Sequence, residues 1–298
     1  MWIKEPGWVT ERILLLGRNE SCIYLLRGDN EDMLIGGGMA YIVPAVLDQF
    51  STFRIDESRI KHLLILHAHF DHCGAVPFFK RRWPQMSIWA SYPAQSILMA
   101  PKAVVGISNF NKMATAQFGD VQATSKLDLS FDGVVVDRPV KEGDIIDLGG
   151  DISVTIMDAP GHSTCSIAAW VPVEKALFGS DGGGVPAEDK IFPAGTSNYT
   201  QYQESLQRMK QFPVEIFLAE HFGAMTGQDG LTYLDRSIDS AGDFRVAIED
   251  SFRKTGNVQQ SAIELTDDLI ARGLVFMPRI ILEPMIFRMV AHIAENLR

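Results

Sequence analysis

Short apolar runs broken by turn residues set the rhythm of the first ninety residues. "CIYLLRG" (22–28), "DMLIGGG" (32–38), "HLLIL" (62–66) and "MSIWA" (86–90) stop at glycine or polar residues, which predicts strands. "VPAVLDQFSTF" (43–53) and "GAVPFFKRRW" (74–83) predict helices between them. Residues 94 to about 130 read as a mostly helical insert with breaks. Strands return in "VVV" (134–136), "DIIDLG" (144–149), "ISVTIMD" (152–158), "SIAAWVP" (166–172), "ALFGSD" (176–181) and "EIFLAE" (215–220), with a helix at "YQESLQRMKQF" (202–212). Two β-rich halves with helices between and after them imply stacked sheets covered by helices.

After about residue 230 the period becomes helical. Leu234, Ile238, Ala241, Ile248 and Phe252 form one stripe, ended by Gly256 and Asn257. Ser261 and Glu264 have the spacing of a capping box for a second helix that stops near Gly273. Ile286, Val290, Ile293 and Leu297 mark a third, with Pro284 in its first turn. Three such stripes cannot be buried within so short a tail. Residues 231–298 are therefore expected to be a helical extension packed on a main unit of residues 1–230.

Chemistry concentrates in "ILHAHFDHCG" (65–74), where His67, His69, Asp71 and His72 follow an apolar run. Alternate residues face one way while the strand continues, and His72 comes round as the chain enters a helix near Gly74. One isolated histidine here would be read as a helix cap; four such groups at this spacing point to a metal. Three later runs end the same way, "VTIMDAPGH" at His162, "ALFGSD" at Asp181 and "IFLAEH" at His221. Five imidazoles and two carboxylates without a thiolate suit divalent zinc, iron or manganese.

This ordered set resembles the metallo-β-lactamase superfamily, and the resemblance covers roughly residues 1–230. It implies an αββα sandwich with a helical insert and a helical C-terminal cap, and two divalent metal ions at one edge. His67, His69 and His162 would hold one ion, Asp71, His72 and His221 the other, and Asp181 would bridge them. A metal-bridging hydroxide would then attack a thioester or ester carbonyl, with Asp71 as the catalytic residue that orients it and takes its proton. The chain departs from the pattern at "LIGGGM", where many members carry Asp-x-Gly, so a supporting carboxylate is missing there. The layout of insert and tail is also similar to the quinolone-signal response thioesterases of that superfamily, which adds a regulatory protein partner to the expectations.

A thiolate leaves without a proton whereas an amine needs an acid, and no further acid is evident, which favours thioesters. Lactone or phosphodiester cleavage on the same site, a mono-iron sulfur oxygenase, and a regulatory binding protein with a secondary hydrolase site are the alternatives. Composition bears on these readings only at the margins. The 298 residues carry a formal charge of −10, which disfavours nucleic acid. Lys80, Arg81 and Arg82 read as a solvated helix end, with a grip on a substrate phosphate as the lesser alternative. No apolar stretch has transmembrane length and no membrane contact is expected. Three scattered cysteines suit reduced thiols, so a cytoplasmic protein acting on a small molecule, and able to form a homodimer, is expected. Met99, Val105, Phe110, Met113 and Phe118 of the insert, with Phe276, Met277, Met285 and Phe287 of the tail, could roof an apolar pocket.

Overall fold

The computed structural model describes residues 1–187, 190–273 and 278–297. Among these residues two seven-stranded sheets face each other. The first runs Gly7–Trp8, Ile13–Arg18, Ser21–Arg27, Asp32–Ile35, Ile60–Leu64, Ser87–Ser91 and Arg138–Val140 in spatial order. It is antiparallel as far as Asp32–Ile35 and parallel beyond. The second runs Trp2–Ile3, Ala224–Met225, Ile216–Leu218, Ala176–Phe178, Ile167–Val171, Ser153–Asp158 and Ile145–Asp147.

Strand Ile13–Arg18 shows why the sheets stack. Ile13 and Leu15 pack inward with Tyr24, Val154, Ile156, Val171 and Phe178 between the sheets. Leu14 and Leu16 point outward to Phe50 and Phe79 of the covering helices. Both faces are dry, so the strand reads as unbroken leucine rather than as alternation. Helices Tyr199–Met209 and Gly227–Thr255 cover the outer face of the second sheet through Tyr202, Leu206, Met209, Tyr233 and Leu234. The result is an αββα sandwich. Helices Val258–Ala271 and Arg279–Glu295 then pack with Val185, Phe192, Tyr199 and Ile248 in a fourth cluster. The insert forms helices Tyr92–Leu98, Pro101–Phe118 and Val121–Thr124.

Local expectations fail where tertiary packing overrides pattern. "VVV" is not a strand: Val134 and Val136 are buried and Val135 is exposed, but the pairing strand is Arg138–Val140. The capping serine is misplaced, because Asn257 caps the helix by accepting from Gln260 N, while Ser261 lies inside it against Thr255 Oγ1. Pro284 is interior to Arg279–Glu295, not in its first turn, and Leu297 lies beyond that helix. A Cβ at Gly183 would overlap the Phe217 ring, which stacks on Tyr233 with centroids 4.0 Å apart. The glycine there makes room for an aromatic side chain.

Phe217 is fully buried beneath the turn that carries Asp181. Phe217→Ala should therefore destabilise the fold by about 3–5 kcal/mol in denaturant titration. A cost near zero would show that the turn does not rest on that ring.

Candidate active site

Each candidate side chain sits just past the end of a strand. Strand Ile60–Leu64 stops earlier than the sequence suggested, so alternation does not orient His67 to Asp71. Asp71 and His72 instead lie in a helical turn, Phe70–Cys73, that starts ahead of Gly74. His162 follows Ser153–Asp158, Asp181 follows Ala176–Phe178, and His221 follows Ile216–Leu218. The sheets are tied together here. Leu66 O accepts from Ile167 N at 2.9 Å. The hairpin around Asn19 and Glu20 grips the segment 219–222: Cys22 N donates to Glu220 O, Phe222 N to Asn19 O, and Tyr24 Oη to Ala219 O.

These ties bring all seven candidates together. His67, His69 and His162 each place a ring nitrogen within 4.8 Å of the others, as do the donor atoms of Asp71, His72 and His221. Asp181 lies between the two groups. Its Oδ2 is 3.3 Å from His72 Nε2 and 3.4 Å from His162 Nε2, and its Oδ1 is 3.6 Å from His221 Nε2. Asp71 Oδ2 is 3.5 Å from both His72 Nε2 and His221 Nε2.

Backbone carbonyls select the tautomers. His162 Nδ1 donates to Ala194 O at 2.7 Å and His221 Nδ1 to Glu20 O at 2.8 Å, so both present an Nε2 lone pair to the centre. His72 Nδ1 faces Glu220 Oε2 at 3.0 Å, close but not aligned as a hydrogen bond, so its Nε2 also points inward, 3.2 Å from His221 Nε2. Two lone pairs at that distance need a cation between or on them. His67 Nε2 is buried with no hydrogen-bond partner. An orphaned nitrogen among oxygen and nitrogen donors fits a divalent metal site.

The charges agree. Burial pulls the His67 imidazole far below its ordinary value, and neighbouring His72, His162 and His69 add to the effect, so it is neutral. Burial also lowers His72 and His221, but Asp181, Asp71 and, for His72, Glu220 outweigh it and both end above the ordinary value. Burial favours the protonated forms of Asp71 and Asp181, yet the surrounding imidazoles hold both carboxyls well below their usual range. Both aspartates are therefore anions.

A cavity of about 560 Å³ opens beside the cluster, with His69 and His162 on its wall, Ile97 from the insert, and Phe287, Arg288 and His292 from the last helix. The apolar roof is thus smaller than expected. Met99, Val105, Phe110, Met113 and Phe118 are exposed rather than lining it, Met285 packs in the fourth cluster, and Phe276 and Met277 lie outside the described residues. Tyr199 and Tyr202 are fully buried core residues. Lys80, Arg81 and Arg82, at the end of helix Val76–Arg82, pair with Asp137, Asp128 and Glu57. Cys73 is buried, its thiol donating to His69 O at 3.1 Å.

Sequence reasoning missed Glu220 and Ser180. Ser180 has φ +47°, a left-handed backbone that a serine adopts rarely. It donates its hydroxyl to Glu220 Oε2 and lies 3.3 Å from His67 Nδ1. A carboxylate from elsewhere in the chain lies beside "LIGGGM": a Cβ at Gly36 would overlap Glu220 Oε1. The glycine in place of a carboxylate was the available signal.

Fold and site together define a class, a two-sheet αββα sandwich with a histidine- and aspartate-rich edge. Residues 16–221 match the family model described as the metallo-beta-lactamase superfamily, and the chain belongs to that superfamily. It is similar to the acyl-coenzyme A thioesterase MBLAC2 of Homo sapiens, 28% identical over 58% of this chain and 62% of that protein. The Gallus gallus protein of the same name is 27% identical over 72% of this chain and 76% of its own length. A hydroxyacylglutathione hydrolase of Hyphomonas neptunium is 32% identical over 33% of this chain and 37% of that protein. In fold the chain is similar to a metallo-beta-lactamase family protein of Thermus thermophilus, with TM-score 0.68 and 16% identity over 98% of this chain and 94% of that one. Among the described residues no helix is long and apolar enough to cross a membrane.

A cation that binds only the folded cluster stabilises it by mass action. Zinc at a hundredfold excess over its dissociation constant should raise the melting temperature by about 4 °C for one ion bound and about twice that for two. Chelator should reverse the rise, and so should falling pH, because protons claim the imidazole nitrogens. Identical melting with and without metal at about pH 7.5, where the imidazoles are free to bind, would count against the site.

Proposed function

We infer that the chain is a dinuclear metal-dependent hydrolase that cleaves thioesters of the acyl-coenzyme A class. The observation that carries the reading is the convergence of seven imidazole and carboxylate groups on one sheet edge, with His67 Nε2 buried and unpartnered. His67, His69 and His162 would hold one ion, Asp71, His72 and His221 the second, and Asp181 would bridge; zinc suits the donors best, with iron or manganese the alternatives. Such ions supply a water of lowered pKa and polarise a carbonyl oxygen.

The chain's own residues account for the rest. Asp71, ionised and beside both His72 and His221, accepts the proton of the attacking water at a carboxylate oxygen. The thiol product departs as a thiolate, so no side chain has to protonate it. Phe287 and Ile97 offer apolar surface to an acyl chain at the cavity wall. Arg288 makes no ion pair among the described residues and borders the same cavity, where it can hold an anionic group of the thiol carrier. The relatives' names, acyl-coenzyme A thioesterase and hydroxyacylglutathione hydrolase, support this choice over phosphodiesters or lactones.

The test is hydrolysis by metal-loaded protein of an acyl-coenzyme A, an acylglutathione, a lactone and a phosphodiester. Thioester cleavage should dominate, and Asp71→Asn should lower kcat by about 10²–10⁴-fold. Preferred turnover of lactone or phosphodiester would overturn the substrate reading. Arg288→Ala should raise KM for the acyl-coenzyme A about tenfold with kcat kept, the loss of one charged hydrogen bond. An unchanged KM would remove Arg288 from substrate binding.

A further inference from the structure

Glu220 is a buried carboxylate that no step above uses, 2% exposed and adjacent in sequence to His221. Its Oε2 has two neighbours. One is His72 Nδ1 at 3.0 Å; the other is the Ser180 hydroxyl, which in turn lies 3.3 Å from His67 Nδ1. Because the serine gives its proton to the carboxylate, its oxygen is left to accept from His67 Nδ1–H, which turns the His67 Nε2 lone pair inward. One carboxylate therefore stands behind two imidazoles, His72 directly and His67 through a hydroxyl. Its chain is fixed independently, since Glu220 O accepts from Cys22 N at 2.8 Å. Its other oxygen, Oε1, has no hydrogen-bond partner and rests where a side chain at residue 36 would begin; Gly36 has φ +86°.

We propose that Glu220 is the positioning residue of the metal centre, orienting His72 and, through Ser180, His67, and that the Glu220 carboxylate occupies the side-chain space of residue 36, a position whose φ of +86° also favours glycine. The proposal rests on the metal reading of the seven-residue cluster. The two then share one volume: a carboxylate attached at residue 36 can enter it once Glu220 is shortened, against the backbone strain of φ +86°, whereas both together collide.

The experiment compares wild type, Glu220→Gln, Glu220→Ala, Gly36→Asp and the double variant Gly36→Asp/Glu220→Ala. Zinc content and affinity are measured by competition with a chelator, cobalt(II) absorption reports ligand geometry, and melting of chelator-treated protein reports the fold. Glu220→Ala should weaken zinc binding about 10–100-fold and alter the cobalt spectrum. Glu220→Gln, which keeps the shape and loses the charge, should move in the same direction by less. Gly36→Asp alone should lower melting through both strain and collision, and the double variant should melt above it because the collision is gone and should regain part of the metal affinity lost in Glu220→Ala. Wild-type affinity and spectrum in folded Glu220→Ala overturn the positioning role, and a double variant that melts no higher than Gly36→Asp overturns the shared-space reading of residue 36. If Glu220→Ala does not fold, the Gln variant decides by the same two readouts. A wild-type protein that binds no zinc or cobalt instead sinks the metal reading beneath the proposal.

Discussion

Imidazole lone pairs and two carboxylates face one another across distances of 3.2–3.6 Å, and only positive charge among them relieves the repulsion. His67, His72, His162, Asp181 and His221 are buried, so their interaction is stronger than the same groups would feel on a surface. Protons on His72 and His221 are one solution, and their upward shifts show it. Divalent cations would be the other, and they would also engage His67 Nε2, which is buried without a hydrogen-bond partner. The rest of the molecule can be understood as what holds these groups in opposition.

Holding them requires both sheets. Neither sheet alone carries the set, because His67 to His72 follow a strand of one while His162, Asp181 and His221 follow strands of the other. The hydrogen bonds from the Asn19 and Glu20 hairpin to residues 219–222 fix one side of the seam, and Leu66 to Ile167 fixes the other. Ala194 O and Glu20 O sit behind His162 and His221, so the backbone chooses which ring nitrogen points inward. Apolar packing between the sheets, from Leu15 and Tyr24 to Val154 and Phe178, keeps those carbonyls in place. Core and chemistry are thus linked through the register of a few strand ends.

The strand-end pattern made the fold legible. Apolar runs ending in His, Asp or Gly identified the sheets and the seven chemical residues together, since burial of a strand and presentation of a ligand at its end leave the same mark in sequence. What escaped was anything set by a distant partner. Glu220 is only the last residue of the strand-like run "EIFLAE" in the sequence, and its place depends on the space left at Gly36, far away in the chain. The capping serine failed because Asn257 offers an equally good oxygen four residues earlier and the helix takes it. "VVV" carries the alternating burial of a strand without its pairing, a distinction that side-chain pattern cannot encode.

The cavity adds a division of labour. The charge cluster is built from strand ends that the sheets immobilise, whereas much of the cavity wall comes from helical residues, Ile97 on one side and Phe287, Arg288 and His292 on the other. Those three lie on one face of Arg279–Glu295, a helix anchored by Leu282, Ile286, Met289, Val290 and Ile293 on its opposite side. Substitution at the cavity face changes shape and charge beside His69 without moving a strand. The donor cluster and the cavity wall therefore reside in different layers, so a chain of this architecture can vary the wall while the cluster stays as it is.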